Sequence, residues 1–199
     1  MYVVLVLNLM GNLHTINAMQ SPEIALRKAT FSDVNMLHSI MREAGDYYWE
    51  NPPENNTEKE EYYAAGVVGL YSIREAYVVT IKETNHIVGA VGLNDNPVEQ
   101  TSDEYYAATA RGMDIPVSIH MLIAKKHRQN GFASKALGLL IAHTFHNYPH
   151  LKSISARIHA PNEASIKTIQ KLHFAHVGIM SKGDGMIDHI YKIQNPNLL

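Results

Sequence analysis

The chain has 199 residues, enough for one sizeable hydrophobic core and marginal for two. Its content of 46% hydrophobic and 18% charged residues is that of a globular protein, and a formal charge of -2 argues against nucleic acid as a partner. Cysteine is absent, which excludes disulfides, thiolate nucleophiles and cysteine-ligated metals and fits a cytoplasmic location.

Residues 1–23 read as an N-terminal extension, and the domain is expected over 24–199. Residues 2–10 are apolar, but Asn8, Gly11, Asn12 and His14 interrupt the run early. No Lys or Arg lies near the start, so the segment is a poor signal peptide, and it is too short to span a bilayer. An extra edge strand, an upstream-translated tail or a weak anchor all fit it.

Residues 24–28 alternate as a first strand. Val34, Leu37, Ile40 and Met41 follow at helical spacing, with Thr30 or Ser32 before them. Ser32 is the expected cap, with Asn35 three residues on leaving the capping box incomplete. A second helix is expected over 57–71. Residues 76–82 and 87–93 read as a hairpin about a turn at 83–86. Residues 94–109 are polar and read as a loop or lid.

Residues 116–124 form a strand apolar on both faces, hence covered on both sides. A helix follows over 133–145, with Ala136, Leu137, Leu140, Ile141 and Phe145 on one face. Residues 151–158 alternate as another strand, 161–172 form a short helix, and 174–180 with 186–193 close the chain as a hairpin. His143 and His146 lie three apart in a helical stretch but lack a carboxylate partner of a metal motif; they read as a helix rim, and no metal is expected. The order is that of a three-layer mixed α/β domain.

The most informative segment joins the apolar strand to the long helix and reads Ile123-Ala-Lys-Lys-His-Arg128-Gln129-Asn130-Gly131-Phe132-Ala133-Ser134. Gly131 permits a tight turn and close approach of a ligand. Amides at the start of the following helix have no partner within it, so with Lys125, Lys126 and Arg128 they form a cradle for an anion such as a pyrophosphate. A capped turn with solvated bases fits the same string. The Walker loop and the dinucleotide fingerprint are both missing. A second segment, Asn162-Glu-Ala-Ser165, opens the short helix, and Lys171-Leu-His-Phe174 ends it.

These two segments resemble the GNAT superfamily of acetyl-CoA-dependent N-acetyltransferases. Arg128-x-x-Gly131-x-Ala133 matches its first signature. Asn162, Ser165, Lys171 and Phe174 match its second, with His173 where glycine is usual. The resemblance covers roughly residues 24–194 and implies the GNAT fold, a three-layer mixed-sheet α/β architecture. It also implies acetyl-CoA as cosubstrate. Backbone amides of Arg128 through Ser134 would hold the pyrophosphate, and the backbone of Met121, Leu122 and Ile123 would pair with the pantetheine arm. A splay between the central strands would admit the thioester, with Asn162 and Ser165 contributing contacts. Relatives often carry a tyrosine as general acid where this chain has Ile169. Tyr191, Ser165 or water would then take that role, the thiolate would leave unaided, or catalysis would be lost.

An alkylammonium has a pKa of about 10 and must lose a proton to attack, so a base is needed on or just before the central strand. His120 and Asp114 are the candidates. The string Ile119-His-Met-Leu-Ile-Ala124 resembles the same strand in the aminoglycoside 6'-N-acetyltransferases, where an Asp stands in place of His120. A partly buried core histidine and a loop aspartate are the plainer readings of the two.

Glu43, Asp46, Glu50, Glu54, Glu58, Glu60 and Glu61 are interleaved with Tyr47, Tyr48, Trp49, Tyr62 and Tyr63. Asp95, Glu99, Asp103 and Glu104 stand beside Tyr105 and Tyr106. Acids with aromatics suit a cationic small-molecule acceptor, an amino-sugar such as an aminoglycoside or a polyamine, by charge pairing and cation–π contact. A solvated acidic surface fits the same residues. A protein or peptide N-acetyltransferase and a catalytically inactive acyl-CoA-binding protein are the alternatives. Neither nucleic acid nor membrane is expected as a partner, and a homodimer would be unsurprising.

Overall fold

The computed structural model describes residues 22–44, 75–95, 117–182 and 186–198. Expectations for the helix at 57–71, the loop at 94–109 beyond Asp95, the extension at 1–23 apart from its last two residues, Asp114, and the turn at 183–185 lie outside them.

Among the described residues, seven strands form one sheet in the order β1-β2-β3-β4-β5-β7-β6. The strands are β1 (Ile24–Lys28), β2 (Glu75–Ile81), β3 (Ile87–Asp95), β4 (Val117–Ile123), β5 (Ser153–His159), β6 (Ala175–Lys182) and β7 (Met186–Gln194). The helices are α1 (Val34–Ala44), α2 (Phe132–Asn147) and α3 (Glu163–Lys171). β4 and β5 run parallel, joined by α2 as a crossover; the other neighbours pair antiparallel.

Alternation along β4 sorts its side chains between two cores. Val117, Ile119 and Ile123 join the larger cluster with Ala136, Leu137, Leu140, Ile141 and Phe145 of α2 and Ile169 of α3. Leu122 and Ala124 join the smaller cluster with Leu37, Ile40 and Met41 of α1. Helices therefore cover both faces of the central strand, as its apolar sequence demands. Gly89 lets β3 and β4 lie this close, because a Cβ there would collide with the Leu122 carbonyl oxygen.

Thr30 caps the entry to α1, rather than Ser32. A 3-10 turn, Phe31–Asp33, precedes the helix, so the acid closing the box is Asp33 and not a residue at position 35. Its carboxylate accepts from the Thr30 amide at 2.8 Å and from Arg27 at 2.8 and 2.9 Å. These bonds, that from Arg27 foremost, hold the Asp33 pKa down at about 2 against the cost of burial.

The far end of α2 is tied to β2. Tyr148 and Tyr77 both donate to Glu75, at 2.6 and 3.0 Å. Burial, and next the Glu75 bond, push the Tyr77 hydroxyl up to about 12. His143 lies 2.8 Å from the Tyr77 hydroxyl and within hydrogen-bonding distance of Asn147. Among the described residues no group of three or more His, Asp or Glu is placed to hold a metal. No helix among them is long and apolar enough to cross a membrane.

Candidate active site

The site begins where β4 and β5 part. Val117 pairs with Ile154 and Ser118 with Ser155, and the ladder ends there. β4 continues against β3 as far as Ile123, while β5 continues against β7 as far as His159. The Ala124 amide donates to the Val88 carbonyl at 2.9 Å, which fixes the alternation of the β3–β4 ladder. By that alternation Leu122 and His120 spend their backbone groups on β3. The amides of Met121 and Ile123 point instead into the gap toward β5, where no described strand meets them.

The gap leads to the loop after β4. A short 3-10 turn, Lys125–His127, is followed by Gln129 and Gly131, both in the left-handed region at φ 64° and 74°. Asn130 braces them by donating to the carbonyls of His127 and Arg128 at 3.3 and 3.1 Å. Gly131 is the N-cap of α2 and supplies no side chain. Since the first intrahelical bond is Lys135 N–H to Gly131 O at 3.1 Å, the amides of Phe132, Ala133 and Ser134 have no partner in the helix. They sit at the positive end of a 16-residue helix.

Arg128 closes the inner end of this cradle. Its Nε donates to the Ile123 carbonyl at 3.1 Å, on the gap side of β4, while its Nη2 is buried without a partner. The His127 Nε2 is likewise buried and unpartnered, its ring packed near those of His86 and Phe132. Burial, and then the positive charge of Lys126, lower its pKa. A buried guanidinium N–H without an acceptor is costly.

His120 lies beside the gap, on the sheet face that carries α1. It is exposed to solvent, yet enough protein crowds it that desolvation lowers its pKa; the charge of Arg157 lowers it further. A residue desolvated on most sides and still open on one is what a cleft wall provides.

A family model described as an acetyltransferase (GNAT) domain matches residues 23–175, most of the chain. The chain belongs to the GNAT acetyltransferase family. As a GNAT member it is an acetyl-CoA-dependent N-acetyltransferase, with acetyl-CoA as cosubstrate. Comparison with curated proteins yields no match.

Solved GNAT structures share its fold. The aminoglycoside acetyltransferase AAC(6')-Ib, in complex with coenzyme A and kanamycin, aligns with a TM-score of 0.64 at 18% identity, over 88% of this chain and 97% of its own. The ribosomal-protein α-N-acetyltransferase RimL in complex with coenzyme A gives 0.61 at 17% identity, over 88% and 96%. The spermidine N-acetyltransferase of Vibrio cholerae, with coenzyme A and spermine, gives 0.59 at 18% identity, over 88% and 98%.

The residues singled out in the sequence fall in three places. Met121, Ile123 and Arg128 through Ser134 line one continuous path from the gap to the helix start, whereas Leu122 turns its backbone to β3 and its side chain to α1. Asn162 is the N-cap of α3, and its Oδ1 accepts from the Ser165 amide at 3.1 Å. Ile169 and Tyr191 are both buried in the larger core, at 3% and 4% exposure, on the sheet face opposite His120.

Three polar residues of the site had no motif to announce them. Ser118 is buried with an unpartnered hydroxyl at the last β4–β5 pair. Arg157 of β5 reaches Asp188 of β7, Nε to Oδ2, at 3.3 Å. The one sequence signal was the alternation of Ser153, Ser155 and Arg157 against Ile154, Ala156 and Ile158, which put them together on the face away from α2.

Proposed function

We propose that the chain moves an acetyl group from acetyl-CoA directly to a primary amine of a cationic small molecule, at the mouth of the β4–β5 gap. The observation that carries this is the run of unspent backbone donors from Met121 to Ser134. It has the form of an open strand edge, which an extended arm joins as a strand would, ending in an anion cradle. Acetyl-CoA supplies an activated thioester carbonyl. Met121 and Ile123 would hold its pantetheine arm, and the amides of Phe132, Ala133 and Ser134 with Arg128 its pyrophosphate. Gln129 and Asn130 shape that loop, and Asn162 and Ser165 flank the path from α3.

His120 would take the proton from the acceptor ammonium. Its lowered pKa keeps the imidazole neutral at pH 7 and ready to accept. Asp114 is the second candidate for this role. Neither Ile169, which has no proton to give, nor Tyr191, buried on the other face, suits the general acid, which leaves Ser165, water or an unassisted thiolate departure. Fixing amine and thioester together supplies much of the rate gain.

The cationic acceptor is supported by the acids and aromatics at 43–63 and 95–106 in the sequence. Two of the similar structures are acetyltransferases of small amines, a spermidine and an aminoglycoside enzyme. The test is acetyl transfer across polyamines, amino-sugars, basic amino acids and peptides. Turnover of small amines is expected. Turnover confined to peptide N-termini or lysyl peptides, as the similarity to RimL would suggest, overturns the acceptor assignment; coenzyme A binding with no transfer at all identifies an inactive acyl-CoA-binding protein.

A further inference from the structure

The parallel register of β4 and β5 can be carried past its last pair. Ser118 faces Ser155, so two residues further on His120 stands level with Arg157 across the opening. Both side chains lie on the same face, since Ile119, Met121, Ala156 and Ile158 take the face toward α2. The positive charge of Arg157 acts on His120, lowering its pKa after burial does.

Arg157 is held from behind. Asp188, with a side chain only 3% exposed, lies 3.3 Å from its Nε and also 3.3 Å from the Nδ1 of His159. Asp188 approaches Arg157 at Nε, and the Arg157 side chain is 37% exposed. Nearby, the Ser118 hydroxyl is buried with its hydrogen bonds unmade. A guanidinium anchored on its Nε side and partly open to solvent can present its planar fork to a carboxylate or phosphate.

We infer that Arg157, clamped by Asp188 across the gap from His120, binds an anionic group of the acceptor next to the amine that is acetylated. The acceptor class is thus an amine bearing a carboxylate or phosphate close by, as in an α-amino acid, in preference to a plain polyamine. This rests on the acetyltransferase reading of the gap and departs from it in the acceptor, which carries an anionic group beside its amine.

The experiment is isothermal titration of the coenzyme A-loaded protein with matched pairs, so that binding is read whether or not transfer occurs. Lysine against cadaverine tests the carboxylate, and phosphoethanolamine against ethanolamine tests the phosphate. At least one anionic member should bind at least about tenfold more tightly than its plain partner, the strength of a charge-assisted pair. The pair that shows the preference names the anion. In Arg157→Gln that ratio should collapse toward one, and Arg157→Lys should keep part of it. Equal binding within both pairs of the wild-type protein, or no binding of any of the four, overturns the inference without recourse to a variant. A preserved ratio in a folded Arg157→Gln protein does so as well. If the preference holds but no acetyl group is transferred, the direct-transfer reading fails and the anion subsite stands.

Discussion

At the start of β4, Val117 and Ser118 pair with Ile154 and Ser155; three residues on, Met121 and Ile123 have β3 on one side and no described strand on the other. Hydrophobicity does not separate the two halves, because Val117, Ile119 and Ile123 pack in the same core. The backbone does. In the closed half β4 has a paired strand on each side, and Ser155 adds its hydroxyl to the Val117 carbonyl at 3.0 Å. In the open half the amides are held ready by β3, while β5 follows β7 away. An unmet backbone donor is tolerated only where water or a ligand reaches it. On the proposed reading the open half receives an extended guest, and each test below alters one side of the difference.

His120→Ala should have the largest effect. Loss of a general base lowers turnover at neutral pH by roughly 10²–10⁴-fold, with acetyl-CoA affinity little changed. In the wild-type protein the acid limb of kcat/KM should fall below pH 6.5, since the folded pKa is lowered from that value. Arg157→Gln should move the limb upward toward it. A pH–rate profile that is the same with and without His120 removes it as the base and leaves Asp114.

Arg128→Ala tests the far end of the open half. Removing a charge-assisted contact should weaken acetyl-CoA binding by roughly 10- to 100-fold, measured by titration, with the melting temperature of the free protein little changed. Gly89→Ala tests the support behind it. Its Cβ meets the Leu122 carbonyl, so the β3–β4 ladder must shift, and denaturant unfolding should show a loss of about 1–3 kcal/mol.

The smallest effect belongs to a corner remote from the gap. Asp33 has a folded pKa of about 2 against an ordinary 3.8, so its stabilisation is complete above the higher value and lost as pH falls through the lower. Asp33→Asn should cost about 1 kcal/mol at pH 7, and the difference should vanish near pH 2 without touching acetyl-CoA affinity.

Much of this was legible in the sequence because it is local. The spacing of Arg128, Gly131 and Ala133 after an apolar strand dictates a turn and a helix start within a few residues. The helical face from Ala136 to Phe145 is fixed by its period, and all five of its named residues are buried. The α1 cap differs from the sequence expectation because a 3-10 turn shifts the helix start, so that Thr30 and not Ser32 meets the acid. Arg157 carries no such local signature. On its own strand it is one charged residue in an alternating run, and only the return of β7 brings Asp188 to its Nε. Its level with His120 depends on where two strands stop pairing, which no local pattern states.

The most direct test of the central claim is amide hydrogen exchange of the protein with and without coenzyme A. Protection should rise at Met121 and Ile123 and at Phe132, Ala133 and Ser134, and stay unchanged at Val117. Coenzyme A binding that leaves those five amides unprotected, or protects a different surface, contradicts the account.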